Sequence, residues 1–163
     1  NYYVMRHWAE IYGGAMGTML PDCFTSEVFF RNFSLDMAKL YDGVRHDSGD
    51  PIAFGEKMIA KYESYHIDPR TKSIVFSDSL DFDRALEIHN YFKDRIGVSF
   101  GIGTNLTNDV GTSKPLNIVM KLKTFQVNPR QHIYRCVKLS DVPGKEIGDP
   151  DEVHSYKVIL GLI

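Results

Sequence analysis

Short apolar runs that predict strands alternate along this chain with longer segments whose apolar residues have helical spacing. The clearest pair is Ile74-Val75-Phe76, a run typical of a buried strand, followed by the amphipathic segment 81–96. Strands that alternate with helices pair in parallel, because each helix returns the chain to the same edge of the sheet. The pattern therefore predicts an α/β protein, built as a parallel sheet or as part of a (β/α) barrel.

The same periodicities place the individual elements. Helices are predicted over residues 1–12, 25–33, 35–41, 51–66 and 81–96, as a short piece after the glycine-bearing turn at 101–103, and from about residue 149. Strands are predicted over 15–20, 42–45, 72–79, 98–100, 116–125 and 134–140. The apolar face of the helix over 81–96 is predicted to consist of Phe82, Ala85, Leu86, Ile88, Tyr91 and Phe92. The chain thus ends in a strand-rich region.

Composition and charge exclude several classes of protein. The formal net charge is -2, too low for nucleic-acid binding by bulk electrostatics. No apolar run approaches the roughly 20 residues of a membrane span. The two cysteines, Cys23 and Cys136, are expected to be free thiols in a reducing compartment. We therefore expect a cytoplasmic protein without a nucleic-acid or membrane partner, and the helical pattern at the first residues indicates a piece of a longer protein.

Small, polar or acidic residues follow each of the first four predicted strands. They are Asp22, residues 45–50, residues 77–79 and residues 101–105. In parallel α/β folds ligands bind at the carboxyl ends of strands, so these residues are predicted to line one pocket. A structural explanation stays open for some of them, because Asp50 and Ser79 are equally suited to cap the next helix.

The residue types predict the ligand of this pocket. In the segment 101–105, glycines allow backbone N–H groups to approach an oxyanion, and a helix start favours negative charge, which together describe a phosphate cradle. Asp47 and Asp78 are acceptors suited to sugar hydroxyls or to hydrated Mg²⁺. Arg45 is a planar donor suited to phosphate, to carboxylate or to stacking on a ring. A sugar phosphate with further anionic or aromatic character is the predicted ligand.

Two other candidate residues have weaker support. His46 has the chemistry of a general base, but a histidine between Arg45 and Asp47 is more simply explained as a supporting residue behind the pocket. Cys23 has no base near it in the sequence, so a nucleophilic role is not expected. The remaining histidines lack the spacing of metal ligands.

Three motifs carry a resemblance to a known family. They are FFRNFSLDMAKLYDGVRHDSGDP at 29–51, SIVFSDSLDFDRALEI at 73–88, and SFGIGTNLTND with PLNIVMKL at 99–122. In order and spacing they resemble the carboxyl-terminal portion of the bacterial nicotinate phosphoribosyltransferase family. The resemblance extends from the first helix to the PGKE turn at 143–146.

The resemblance implies a type II phosphoribosyltransferase fold, an irregular (β/α) barrel with a second, largely β domain. Residues 1–163 would be the carboxyl-terminal portion of the barrel domain, with the upstream domain and the start of the barrel outside them. The implied reaction is formation of nicotinate mononucleotide and pyrophosphate from nicotinate and phosphoribosyl pyrophosphate, coupled to ATP and assisted by Mg²⁺, in NAD salvage. A homodimer is also implied.

The resemblance also assigns roles to residues of the predicted pocket. Arg45 is expected near the nicotinate ring and the phosphoribosyl group, as a catalytic residue. Asp47 and Asp78 are expected to contact the ribose hydroxyls. Asp22 is expected as a second catalytic residue near the pyrophosphate, contacting Mg²⁺ through water. Ser48 is divided between substrate binding and helix capping.

The remaining assigned residues concern phosphates. Gly103 and Thr104 are expected to hold the 5-phosphate, and Gly101 is the further substrate-binding residue of the same turn. The family's phosphorylated histidine belongs to a GT-x-x-H motif, whereas GTML at Gly17–Leu20 has no histidine after it. That histidine is therefore expected outside this chain, which alone would be inactive.

Two alternatives stay open. One is a different sugar-phosphate barrel enzyme, although its Schiff-base lysine is not found at a predicted strand end. The other is a non-catalytic ligand-binding or assembly fragment.

Overall fold

The fold is organised around a parallel sheet of four short strands. The computed structural model describes residues 2–15, 17–21, 23–108, 110–112, 114, 118 and 120–163. The strands are β1 (Thr18–Met19), β2 (Gly43–His46), β3 (Ser73–Phe76) and β4 (Gly97–Phe100), in the order β1-β2-β3-β4. All three pairings are parallel, which confirms the α/β prediction. Within the described residues the sheet is open at β1 and β4 and does not close into a barrel.

Helices connect these strands and complete the chain. They are α1 (Tyr2–Tyr12), α2 (Ser26–Asn32), α3 (Leu35–Leu40), α4 (Pro51–Ser64), α5 (Phe82–Phe92), α6 (Thr104–Thr107) and α7 (Pro150–Ile159), with a 3-10 turn at Pro69–Thr71. An antiparallel pair, β5 (Thr124–Phe125) and β6 (Tyr134–Arg135), lies between α6 and α7. In the described part of the chain, no helix combines the length and apolar character needed to cross a membrane.

Aspartate side chains cap the amino-terminal ends of α4 and α5, the helices that follow β2 and β3. Asp50 Oδ1 accepts a hydrogen bond from the Ala53 N–H at 2.9 Å, and Asp81 Oδ1 accepts one from the Arg84 N–H at 2.7 Å. Asp50 is therefore the N-cap of α4, as one of its two interpretations held. Ser79 is not the N-cap of α5, because that position belongs to Asp81.

The core lies between one face of the sheet and helices α4 and α5, and it extends to buried residues of α1, α2 and α3. Strand residues alternate between faces, and every second residue of β2 and β3 is fully buried on this side, including Val44 and Phe76. The Phe76 ring stacks on Phe92 of α5 with 5.7 Å between ring centroids. Residues of opposite orientation, such as Arg45, are less buried. The face of the sheet that carries Arg45 is therefore not part of this core.

The predicted apolar face of α5 is too wide. Ala85, Ile88 and Phe92 are buried, whereas Phe82 is 71% exposed and Leu86 and Tyr91 are also exposed. The helix packs on the sheet along one narrow stripe, so apolar residues beside that stripe remain outside the core. Tyr91 instead lies under the guanidinium of Arg95, 5.5 Å from its ring centroid.

The strands near the carboxyl-terminal end of the chain are shorter than predicted. Residues 116–125 were expected to form one long strand, but in the described part of that segment only Thr124–Phe125 is strand. Leu116, Asn117 and Val119 lie outside the described residues. In the segment 134–140 the strand is Tyr134–Arg135, and Lys138 forms a single bridge with Ile147. Apolar alternation alone does not form a strand where no neighbouring strand pairs with it.

Gly55 makes the close packing of α4 on α5 possible. A Cβ atom added at this position would lie 2.2 Å from Phe92 Cζ, in the buried core. We expect Gly55→Ala to lower the free energy of unfolding by about 1–3 kcal/mol, because overpacking outweighs the better helix propensity of alanine. Chemical denaturation measures the change. The matched control is Gly55→Ala combined with Phe92→Leu, which removes the ring: an equal loss caused by Gly55→Ala in both backgrounds would contradict this explanation.

Candidate functional site

Three neighbouring strands end at the same edge of the sheet. The register pairs His46 with Phe76 and Phe76 with Phe100, so the three strand ends are level. Adjacent strands lie about 4.8 Å apart, which places the ends of β2 and β4 roughly 10 Å from each other. Residues 47–50, 77–79 and 101–105 leave the sheet at this edge, as the alternation of strands and helices predicted.

Arg45 links the ends of β2 and β3. Its Nε donates a hydrogen bond to Ser77 Oγ at 2.9 Å, and its terminal nitrogen donates to Asp47 Oδ1. Ser77 Oγ in turn donates to the carbonyl oxygen of His46 at 3.1 Å. Since the guanidinium has donors in a fixed plane, these bonds hold it in one orientation at the strand ends.

Asp47 is held between two cations. Its Oδ1 contacts Arg45, and its Oδ2 accepts a hydrogen bond from Lys138 Nζ at 2.9 Å. Burial alone would raise the pKa of Asp47, but the hydrogen bond and charge of Lys138, together with Arg45, lower the pKa below its ordinary value. Asp47 is therefore a carboxylate at neutral pH and can accept further hydrogen bonds.

Lys138 is a site residue that the sequence did not reveal. It lies 91 residues after Asp47, in a segment predicted only to be a strand. A signal exists in the residues around it, because KLSDVPGK at 138–145 concentrates charge beside a turn. Nothing local in that motif, however, indicates which strand end it contacts.

Asp78 lies at the end of β3 with a weaker cation partner. Ser79 Oγ donates a hydrogen bond to Asp78 Oδ1 at 3.0 Å, while Lys145 Nζ lies 3.9 Å from the same oxygen. The Lys145 side chain is largely exposed, so this ion pair contributes little. The Asp78 carboxylate therefore keeps most of its capacity to accept hydrogen bonds.

Ser48 lies next to an acidic residue from a distant part of the chain. Its Oγ donates a long hydrogen bond of 3.4 Å to Asp141 Oδ2. Asp141 also accepts hydrogen bonds from the N–H and Oγ of Ser26, at 2.9 and 2.6 Å. Since Asp50 is the N-cap of α4, Ser48 does not cap that helix.

The glycine-bearing turn after β4 lies beside the end of β3. The Gly101 N–H donates to the carbonyl oxygen of Phe76 at 2.8 Å, and a Cβ at Gly101 would lie 3.2 Å from Ser77 Cβ. A Cβ at Gly103 would meet no atom of the described residues within 4 Å. Gly103 precedes Thr104, the first residue of α6, and Asn105 anchors that turn through a 3.0 Å bond from Nδ2 to the Leu80 carbonyl. The turn thus brings Gly103 and Thr104 to the predicted pocket edge.

Asp22, predicted as a catalytic residue near Mg²⁺, lies outside the described residues. Its role stays a prediction. Among the residues that the structure describes, no group of three or more histidine, cysteine, aspartate or glutamate side chains is arranged to hold a metal ion.

His46 points into the core and away from the pocket. It is 1% exposed and packs between Phe54 and Phe76, with ring centroids 5.2 and 5.7 Å away. Its Nε2 has no hydrogen-bond partner in the described part of the chain. Burial lowers the pKa of the imidazole below its ordinary value of 6.5, more than the nearby carboxylates raise it. This geometry supports the supporting-residue interpretation over the general base.

The burial of His46 predicts a pH dependence of stability. The unfolded chain takes up a proton near pH 6.5, whereas the folded state does so only at lower pH. Stability is thus complete above pH 6.5 and is lost as the pH falls towards the lower pKa of the folded state. We expect His46→Leu to reduce this decline in melting temperature between about pH 7 and about pH 5, an interval that includes the ordinary histidine pKa. The exposed His154→Gln is the control; an unchanged decline in His46→Leu would contradict the assignment.

An apolar groove is lined by residues other than these polar side chains. It has a volume of about 260 Å³ and is lined by residues of α1 and β1, including Trp8 and Met19. The described residues of its lining include none of the charged groups that a sugar phosphate requires. We therefore assign the candidate site to the strand ends and not to this groove.

Comparisons with known proteins show which proteins this chain is similar to. The model of the nicotinate phosphoribosyltransferase (NAPRTase) family matches residues 3–161. A nicotinate phosphoribosyltransferase of Desulforapulum autotrophicum is 51% identical over 160 residues, covering 98% of this chain and 41% of that protein. One of Chromohalobacter salexigens is 48% identical over 163 residues, covering 99% and 41%.

Solved structures show the same similarity. The nicotinate phosphoribosyltransferase of Porphyromonas gingivalis matches with a TM-score of 0.92 and 50% identity, over 99% of this chain and 42% of that one. The Vibrio cholerae enzyme matches with a TM-score of 0.88 and 38% identity, over 98% and 38%. The chain spans about two fifths of the length of the relatives that it matches.

Proposed function

The chain belongs to the nicotinate phosphoribosyltransferase family, and we propose that its strand ends form part of the site at which such an enzyme binds phosphoribosyl pyrophosphate and nicotinate. The observation that carries this proposal is the family match over residues 3–161, which includes every described residue of the strand-end site. The polar groups at that edge have the chemistry that a sugar phosphate requires, which supports the proposal independently.

The proposed reaction is a displacement at the anomeric carbon of the ribose. The nicotinate ring nitrogen forms the new C–N bond while the bond from that carbon to pyrophosphate breaks, giving nicotinate mononucleotide. Hydrolysis of ATP to ADP and phosphate is coupled to it. The transition state resembles an oxocarbenium ion, so the enzyme contributes mainly positioning and charge stabilisation.

In this proposal, each strand end binds a different part of the substrates. Asp47 and Asp78 accept hydrogen bonds from the ribose hydroxyls, which the ionised state of Asp47 supports. Gly103 and Thr104 hold the 5-phosphate, supported by the open surroundings of Gly103. Arg45 lies at the end of β2, where its planar guanidinium is suited to the nicotinate and phosphoribosyl groups.

Gly101 and Ser48 are also part of the proposed substrate site. Gly101 allows the turn to approach Ser77 closely, and Ser48 offers a hydroxyl at the edge near Asp141. We propose Mg²⁺ and ATP for the whole enzyme, with Mg²⁺ neutralising charge on the leaving pyrophosphate when bound. Because the described residues offer it no ligand cluster, we derive no step through the metal.

The wider organisation is part of the proposal as well. We propose that residues 1–163 form the carboxyl-terminal portion of an irregular barrel domain in a cytoplasmic, homodimeric enzyme of NAD salvage. The open edges of the sheet at β1 and β4 support further strands beside it. The phosphorylated histidine and the Mg²⁺-linked role of Asp22 belong to this proposal.

The test is an activity assay on a full-length protein that contains this chain, and on residues 1–163 alone. Nicotinate, phosphoribosyl pyrophosphate, ATP and Mg²⁺ are supplied, and nicotinate mononucleotide is measured by chromatography. We expect product from the full-length protein and none from residues 1–163. No product from the full-length protein would reject the function, and product from residues 1–163 would reject the need for a histidine elsewhere.

A further inference from the structure

The segment 138–147, here called the return segment, comes back to the strand ends from the strand-poor tail. The Lys138 N–H donates to the Ile147 carbonyl at 2.8 Å, and the Ile147 N–H donates to the Lys138 carbonyl at 2.9 Å. The next residue, Leu139, is fully buried, and its N–H donates to the carbonyl oxygen of Cys23 at 2.8 Å. The backbone on both sides of the Lys138 side chain is therefore fixed.

Asp141 attaches the return segment at a second place. Its carboxylate accepts hydrogen bonds of 2.6 to 3.1 Å from Ser26 and the longer one of 3.4 Å from Ser48. These bonds connect the return segment to the start of α2 and to the end of β2. Lys138 thus reaches the pocket from a rigid support and not from a free loop.

Lys138 and Arg45 contact opposite oxygens of the same carboxylate. The Lys138 side chain is 25% exposed and Asp47 is 19% exposed, so both charges are partly removed from water. A carboxylate can accept about four hydrogen bonds, so two contacts fix its plane and leave capacity for a ligand. An unpaired charge at this depth would be costly, which favours a fixed pair.

We propose that Lys138 is a positioning residue, which together with Arg45 fixes the Asp47 carboxylate in the orientation that accepts the ribose hydroxyls of phosphoribosyl pyrophosphate. This inference rests on the function proposed above. Lys138 acts through Asp47 and not by contact with the reacting atoms. The return segment is thereby a working part of the site, although it lies 91 residues from Asp47 in sequence.

Lys145 of the same segment does not have this role. Its Nζ lies 3.9 Å from Asp78 Oδ1, beyond hydrogen-bonding distance, and its side chain is 54% exposed. Such a pair fixes neither partner. The contrast predicts that neutralising Lys145 changes KM for phosphoribosyl pyrophosphate less than neutralising Lys138 does.

The experiment measures steady-state kinetics of a full-length protein containing this chain, with phosphoribosyl pyrophosphate as the varied substrate. We expect Lys138→Met to raise KM for this substrate about tenfold, the effect of losing a hydrogen bond to a charged group. The melting temperature and kcat should change much less. Lys138→Arg should restore a KM close to that of the wild type. Lys93→Met, at the end of α5 on the opposite edge of the sheet, is the control.

A double-mutant cycle with Asp47→Asn identifies the route of the effect. If Lys138 acts through Asp47, Lys138→Met adds little to the KM of Asp47→Asn. Should Lys138→Met destabilise the protein too far, Lys138→Gln keeps a long polar side chain without the charge and enters the same cycle. We expect the effects of the Lys138 and Asp47 substitutions on KM to be strongly coupled, whether Lys138 is replaced by methionine or by glutamine.

Three outcomes would overturn the inference. They are an unchanged KM in Lys138→Met, effects of Lys138→Met and Asp47→Asn that simply multiply, and a loss of melting temperature that Lys138→Arg does not reverse while KM stays constant. Failure of the proposed function is distinct, because the wild-type protein would then form no nicotinate mononucleotide at all.

Discussion

Replacing Arg45 by lysine is expected to lower kcat/KM for nicotinate mononucleotide formation by about a hundredfold, the scale of losing one fixed donor at a reacting centre. Lysine keeps the charge but cannot reach Ser77 and Asp47 together, as the guanidinium does through two of its nitrogens. Asp47 would retain Lys138 as its partner, so the loss of stability should be modest. Steady-state kinetics and thermal melting of the full-length variant separate the two effects.

A matched control is available on the same fold. Arg95 makes a two-bond ion pair with Glu56, at 2.6 and 2.9 Å, and lies just before β4 at the opposite edge of the sheet. Arg95→Lys removes a fork of the same kind away from the site, so its kcat/KM should match that of the wild type. Equal activity of Arg45→Lys and Arg95→Lys would contradict the role given to Arg45.

Replacing Asp78 by asparagine is the second change with a large expected effect. The variant keeps the size of the side chain but loses the charged acceptor proposed for the ribose hydroxyls. Hydrogen bonds to charged groups predict a rise of about ten- to a hundredfold in KM for phosphoribosyl pyrophosphate. Within the described part of the chain, Asp78 accepts a local bond from Ser79 and has a weak contact with Lys145, so the melting temperature of the variant should hardly change.

Asp94→Asn provides the comparison for Asp78→Asn. Asp94 is exposed near the amino-terminal end of β4, and its backbone φ of 63° is one that asparagine also adopts readily. The same chemical change there should leave KM unaltered. Asp78→Asn kinetics identical to those of Asp94→Asn would remove Asp78 from the proposed substrate contacts.

The part of the site that could be predicted from the sequence is the part that the order of strands and helices determines. A strand that alternates with a helix returns to the same edge, so the ends of β2, β3 and β4 could be placed together without coordinates. Asp50 illustrates the limit of that reasoning, since its two interpretations were separated only by the bond from the Ala53 N–H. The roles of Arg45 and Asp78 in binding stay predictions.

Features that depend on distant packing were not predictable in the same way. Lys138 reaches Asp47 through the fold of the return segment, and no pattern near either residue encodes that meeting. Periodicity placed Phe82 on the buried face of α5, but Phe82 is exposed. The width of a helix's buried face depends on how many other elements pack against that helix. The long strand predicted over 116–125 failed for a related reason, because a strand needs a partner and not only alternating side chains.

The position of the substrate is tested most directly by a crystal structure of a full-length protein containing this chain, with phosphoribosyl pyrophosphate bound. We predict the 5-phosphate against Gly103 and Thr104, and ribose hydroxyls within hydrogen-bonding distance of Asp47 and Asp78. Substrate bound without contact to any of these four residues would contradict the strand-end site.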